Sequence, residues 1–172
     1  NRNGTNMSTA LSIIEMCYGD TGLLLSMPRQ GLGNSAIAAV ANDEQLERFK
    51  GTWAAMAITE SGCGSDSAAI RTTAIKDGDD YILNGEKIFV TSGERADSVV
   101  VWATLDKKLG RAAIKSFVVP KGTEGMKVER LEHKLGIKAS DTAVISFIDC
   151  RVPAANLLGN AEVDVAKGFA GV

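Results

Sequence analysis

The sequence predicts an α+β chain, a helical segment followed by a β-barrel-like domain of about eight short strands. Three observations carry this. Apolar residues recur at helical spacing up to Phe49, β-branched segments follow one another after Trp53, and turn residues rather than helices separate those segments.

In the first part, Met7, Leu11, Ile14 and Tyr18 lie three or four residues apart, and Gly19-Asp20 then breaks the run. A second apolar stretch over residues 23–27 ends near Pro28, and a third runs through Ile37 and Val40. Asp43 reads as the cap of a short helix that carries Leu46 and Phe49 on one face. Gly31-Leu-Gly33-Asn-Ser-Ala36 has the spacing of a dinucleotide fingerprint. It follows helix-like sequence instead of a strand, so a helix-to-helix turn is the better account.

The strand candidates are residues 53–59, 70–76, 81–84, 87–92, 98–105, 115–120, 127–131 and 142–149. Asp77-Gly-Asp-Asp80, Asn84-Gly85, Ser92-Gly93 and Lys121-Gly-Thr-Glu-Gly125 supply turn chemistry between them. From Val165 another helix is expected to open. The expected organisation is the end of a helical domain over 1–52, a whole β-domain over 53–155, and the start of a further helical domain over 156–172. A chain that begins at Asn1 in mid-pattern is read as a piece of a longer protein.

Composition narrows the function. Of the 172 residues, 19 are Lys or Arg and 21 are Asp or Glu, a net charge of −2 that disfavours nucleic acid or an anionic membrane as partner. No apolar run reaches the roughly 18 residues of a spanning helix. Three separated cysteines, Cys17, Cys63 and Cys150, fit reduced thiols in a cytosol-like compartment. Asn3 and Asn6 begin glycosylation-type triplets that lack any secretory context. One histidine, His133, leaves little room for histidine-based zinc sites or Ser/His/Asp hydrolases, and its charged surroundings suit the surface. No metal site is expected.

The informative stretch is Ala57-Ile-Thr-Glu-Ser-Gly-Cys-Gly-Ser-Asp66, a strand running into a loop with glycines and hydroxyls. Such a loop suits an anion, because its amides form a donor nest and Thr59 and Ser65 add directed hydrogen bonds; it equally suits a plain turn. Glu60 and Asp66 are better read as makers of loop hydrogen bonds than as an acid/base pair. Cys63 reads as a small residue in a tight loop.

These residues resemble the signature of the acyl-CoA dehydrogenases. At the family's spacing follow Tyr81-Ile-Leu-Asn-Gly-Glu-Lys-Ile-Phe-Val-Thr-Ser-Gly93, then Lys134-Leu-Gly-Ile-Lys-Ala-Ser-Asp-Thr142, Phe147-Ile-Asp149 and Val152-Pro-Ala-Ala-Asn-Leu-Leu-Gly159. The resemblance implies that FAD is held between the β-domain and a carboxy-terminal helical bundle. It assigns Met56, Ala57, Ile58 and Thr59 to the flavin, Gly64 and Ser65 to its pyrophosphate, and Phe89, Val90 and Thr91 to the other part of the ring. Ser65 is also assigned to the thioester substrate, and Ser92 to a turn. Two positions depart from the commonest family pattern: Phe89, where many members have Trp, and Ser61, where many have Pro.

The implied reaction is α,β-dehydrogenation of an acyl-CoA in fatty acid β-oxidation, with an electron-transfer flavoprotein as acceptor and a homodimer or homotetramer as the assembly. A bacterial cytoplasm is the implied compartment, with the mitochondrial matrix as the alternative. The family's base is a glutamate beyond Val172 or placed elsewhere in some subfamilies, so no catalytic residue is assigned within this chain. The basic stretch Asp106-Lys-Lys-Leu-Gly-Arg111 reads as a solvated hairpin loop or as a contact of Arg111 and its neighbours with coenzyme A phosphates. A flavin oxidase or monooxygenase of the same fold, and a noncatalytic acyl-CoA or flavin-binding module, are the alternative functions.

Overall fold

The computed structural model describes residues 6–28 and 32–163. Three helices come first: α1 (Asn6–Ser26), α2 (Leu32–Val40) and α3 (Asp43–Arg48). The expected break falls inside α1, where Asp20 leaves helical geometry (φ −164°, ψ 113°). Its carboxylate then accepts from the Leu23 amide at 2.8 Å, which restarts the helix.

The cap of α3 is Asn42, not Asp43. Asn42 has extended backbone, and its side chain accepts from the Gln45 amide while the Gln45 side chain accepts from the Asn42 amide. This reciprocal pair leaves Asp43 in the first turn, where its charge suits the helix dipole. Gly33 lies within α2; Gly31, which opens that fingerprint-like motif, and the helix expected from Val165 lie outside the described residues.

Seven strands follow: β1 (Ala54–Ala57), β2 (Thr73–Asp77), β3 (Asp80–Thr91), β4 (Ser98–Thr104), β5 (Ile114–Pro120), β6 (Met126–Leu131) and β7 (Thr142–Pro153). They form one curled mixed sheet in the order β1-β4-β2-β3-β7-β6, with β5 paired to β4. The count is seven instead of eight because residues 81–84 and 87–92 make one strand. Asn84-Gly85 is therefore no turn. Asn84 is held in the sheet by β7, its amide donating to Asp149 at 3.2 Å and its carbonyl accepting from the Asp149 N–H at 2.9 Å. Gly85 absorbs a register shift, and a Cβ there would lie 2.4 Å from Thr72 Oγ1.

A second correction concerns the basic loop. Residues Lys107–Ala113 form two 3₁₀ turns joined at Gly110, which leaves helical geometry (φ 56°, ψ −137°), and Asp106 opens the first, its carboxylate accepting from the Lys108 amide at 2.8 Å.

β4 is buried on both faces and so divides two cores. Val99 and Val101 join Leu83, Val90, Phe117, Ile145 and Phe147 in the larger one. Val100 and Trp102 join Ile37, Ala54, Cys63, Val118 and Leu158 in the other, against which Leu46 and Phe49 pack from the α3 segment. Helix α2 lies on β1: Asn34 donates to the Thr52 carbonyl at 2.6 Å and accepts from the Ala54 amide at 3.0 Å.

Candidate functional site

The chain leaves β1 at Ala57 and turns at once. Glu60 and Cys63 close that turn with reciprocal backbone hydrogen bonds of 3.1 Å, and the Thr59 carbonyl accepts from the Ile88 amide at 2.9 Å. On the other side β3 slips register between Lys87 and Val90, and Phe89 takes a left-handed backbone (φ 58°). A bulky side chain rarely adopts that conformation, so its presence marks a place where function competes with folding.

The exit of β1 and the bulge of β3 form the walls of a cleft of about 390 Å³. Met56, Ile58, Ile88 and Phe89 line it with apolar surface, Thr59, Thr91 and Ser92 place hydroxyls along it, and Leu25 and Leu32 approach from the helices. Two apolar walls with hydroxyls between them suit a flat heteroaromatic ring.

Of the residues expected at a ring site, Met56, Ile58, Thr59, Phe89 and Thr91 meet in this cleft. Ala57 and Val90 do not line it; their side chains are in the core. Gly64 and Ser65 sit in the exposed loop outside it, with open space around the Gly64 Cα. Arg111 is exposed on the second of those 3₁₀ turns, next to a second cleft of about 230 Å³ bordered by Arg71, Thr104, Lys107 and Gly110. His133 is exposed, and among the described residues no group of His, Cys, Asp and Glu could hold a metal ion.

The sequence reading missed several groups. Leu25, Leu32 and Ile88 were given no part in the site, and Ser92 was read as a turn residue alone; it is in the turn and lines the cleft as well. Asp141 was not singled out. Its carboxylate accepts from the Glu94 amide at 2.9 Å and from Arg95 at 2.7 Å, and its carbonyl accepts from the Ser92 amide at 3.0 Å, so it holds the turn after Thr91.

Lys87 was also missed, because next to Asn84, Gly85 and Glu86 it reads in sequence as part of a polar stretch. Its ammonium donates to Glu60 Oε1 at 2.8 Å and to the Ile58 carbonyl at 3.1 Å. Glu60 makes loop hydrogen bonds, as expected: it also accepts from the Thr72 hydroxyl and amide and from the Arg71 amide. Burial by itself would push the Glu60 carboxyl up, but Lys87, Thr72 and Arg71 together hold it below the usual carboxylate range. Asp66 makes no capping hydrogen bond to the 3₁₀ turn that it opens.

Residues 55–150, which contain nearly all of the sheet and both the β1 and the β3 wall of the cleft, match the family model described as the acyl-CoA dehydrogenase middle domain. The chain belongs to the acyl-CoA dehydrogenase family. It is 45% identical over 142 residues to an acryloyl-CoA reductase (NADH) of Anaerotignum propionicum, covering 78% of this chain and 35% of that one. To a short-chain specific acyl-CoA dehydrogenase of Clostridium acetobutylicum it is 37% identical over 166 residues, 93% of this chain and 42% of the relative. A solved structure described as an FAD-dependent dehydrogenase superposes with a TM-score of 0.78 at 35% identity, over 88% of this chain and 42% of that one. The chain thus spans about two fifths of the length of these acyl-CoA dehydrogenase relatives.

Proposed function

We propose that this chain is the flavin-holding and acyl-CoA-facing part of an enzyme that acts on the α,β carbon pair of an acyl-CoA thioester. One observation carries the reading. Two segments separated by some thirty residues, each assigned to the flavin by its own motif, face one another across a single cleft.

The residues present fit an isoalloxazine ring. Met56, Ile58 and Phe89 offer apolar and aromatic surface for its faces, and Thr59 and Thr91 offer hydroxyls for its polar edge. Gly64 and Ser65 are the proposed contacts for the pyrophosphate; their loop is exposed and has room for one. Bound FAD supplies the two-electron acceptor. The chain orients the ring, dries its apolar face and supplies hydrogen bonds to its edge.

Removal of an α-proton beside a thioester requires a carboxylate free to accept it. Glu60 is not free, since both its oxygens already accept from Lys87, Thr72 and Arg71. The base is therefore assigned to no described residue. Ser65 and Arg111 are the proposed substrate contacts, and Arg71 and Lys107 add positive charge suited to coenzyme A phosphates. An electron-transferring flavoprotein is the proposed acceptor and a homodimer or homotetramer the proposed assembly.

The acryloyl-CoA reductase relative favours a second reading, in which the same carbon pair is reduced. Anaerobic titration separates the two. The protein carrying this chain is loaded with FAD and freed of excess cofactor. Bleaching of the flavin band by butyryl-CoA supports the oxidative direction; reoxidation of the reduced protein by acryloyl-CoA at a higher rate than its bleaching by propionyl-CoA supports the reductive one. Correctly folded protein that retains no flavin would overturn both.

A further inference from the structure

Lys87 is the only charged side chain among the described residues with 0% of its surface exposed. An ammonium taken out of water is costly unless its protons are met by acceptors, and an apolar pair of the same volume commonly holds a fold as well or better. The cost therefore calls for a function that an apolar pair could not perform.

The partners of Lys87 show what that function is. Its Nζ reaches Glu60 at 2.8 Å and the Ile58 carbonyl at 3.1 Å, both on the segment leaving β1. Glu60 in turn fixes the far end of its own loop by accepting from the Thr72 hydroxyl at 2.6 Å and the Arg71 amide at 2.7 Å. Lys87 itself stands immediately before Ile88 and Phe89, the bulge that forms the opposite wall of the cleft. The Ile88 amide donates to the Thr59 carbonyl at 2.9 Å between these anchor points. One ion pair thus links both walls of the cleft, and its directed hydrogen bonds fix their separation in a way that apolar contact would not.

We infer that Glu60 and Lys87 are positioning residues that set the spacing and angle between the 58–59 wall and the 88–89 wall of the cleft. The inference rests on the flavin reading of that cleft. It departs from an acid/base role, because neither Glu60 nor Lys87 lines the cleft and both oxygens of Glu60 already accept hydrogen bonds.

The test uses the FAD-loaded protein with Lys87→Met, Glu60→Gln and the double variant. Three quantities are read: the dissociation constant for FAD, the vibrational shoulder of the bound flavin's absorption band, and hydrogen exchange at the Ile88 amide. Lys87→Met should weaken FAD binding tenfold or more, blur the shoulder and speed exchange at Ile88. The double variant leaves no buried charge, so its melting temperature should recover toward wild type while its FAD affinity and spectrum do not. If Lys87→Met does not fold, Glu60→Gln, which keeps shape and an acceptor oxygen, carries the same expectations at smaller size. Recovery of FAD affinity to within twofold of wild type, with an unchanged spectrum, in the double variant would overturn the inference and leave the pair a fold staple. Wild-type protein without flavin affinity would instead remove the flavin reading, and the inference with it.

Discussion

Phe89 keeps its backbone at φ 58° while 60% of its surface is exposed, so the fold gains little packing from a conformation that costs about 1 to 3 kcal/mol. Phe89→Gly should therefore raise stability by about 1 kcal/mol in denaturant melts while weakening flavin retention, a trade that an ordinary surface phenylalanine would not show. The thiol of Cys150 differs in kind: burial pushes its pKa from 9.0 to about 11. A thiol whose folded value is raised contributes stability below its unfolded value, and that contribution is lost as pH climbs from 9.0 toward 11. Cys150→Ala should flatten the alkaline fall in melting temperature, and at pH 8 a thiol reagent should label the half-buried Cys17 well before Cys150. Glu60 has the opposite sign. Its lowered folded value gives stability above 4.5 that disappears as pH falls through the folded value, so Glu60→Gln should reduce the acid sensitivity of the melt.

Between α2 and β1 the approach is backbone to backbone. A Cβ on Gly33 would lie 2.3 Å from the Ala55 carbonyl oxygen and 2.5 Å from that of Ala54, so α2 rests directly on β1 beside the cleft. Gly33→Ala should cost about 1 to 3 kcal/mol through forced displacement of α2, measured by urea melts, whereas Gly64→Ala meets nothing within 4 Å and should leave the fold unchanged. The turn after β3 depends on Asp141, which holds Ser92, Glu94 and Arg95 together. Thr91→Val should lower FAD affinity by about 0.5 to 1.5 kcal/mol, the loss of one hydrogen bond. Ser92→Ala should now show a measurable effect too, since Ser92 lines the same cleft.

The described residues form one sheet with two cores, and helix α1 shares in neither. Along α1, Met7, Leu11, Ile14, Tyr18 and Leu23 are all exposed, Tyr18 at 92%. Clustered apolar surface of this kind drives association. The 172-residue chain should therefore sediment as oligomers or aggregates, and Leu11→Lys with Ile14→Lys should shift it toward monomer. A clean monomer of the unmodified chain in analytical ultracentrifugation would show that α1 folds back onto the sheet.

Periodicity and turn residues were enough to place the helices before Trp53 and nearly every strand after it, because hydrophobic spacing is a local property written along the chain. The motif around Thr59 and the one around Thr91 were legible as runs of consecutive residues that resemble a family signature. Local pattern failed where a residue's state depends on something distant in sequence. Asn84-Gly85 looks like a turn, yet β7 supplies the partner of Asn84 and Thr72 fills the space that Gly85 leaves. Ala57 and Val90 belong to the motifs that carry the resemblance, yet strand alternation turns them into the core while Met56 and Phe89 reach the cleft. Lys87 and Glu60 stand 27 positions apart, and no spacing rule connects them. Period and turn chemistry settled which segments are strands, and their resemblance to a family signature marked the motifs they carry; only the curl of the sheet, which brings β1 and β3 together, decided that those motifs share one cleft and that a buried ion pair joins its walls.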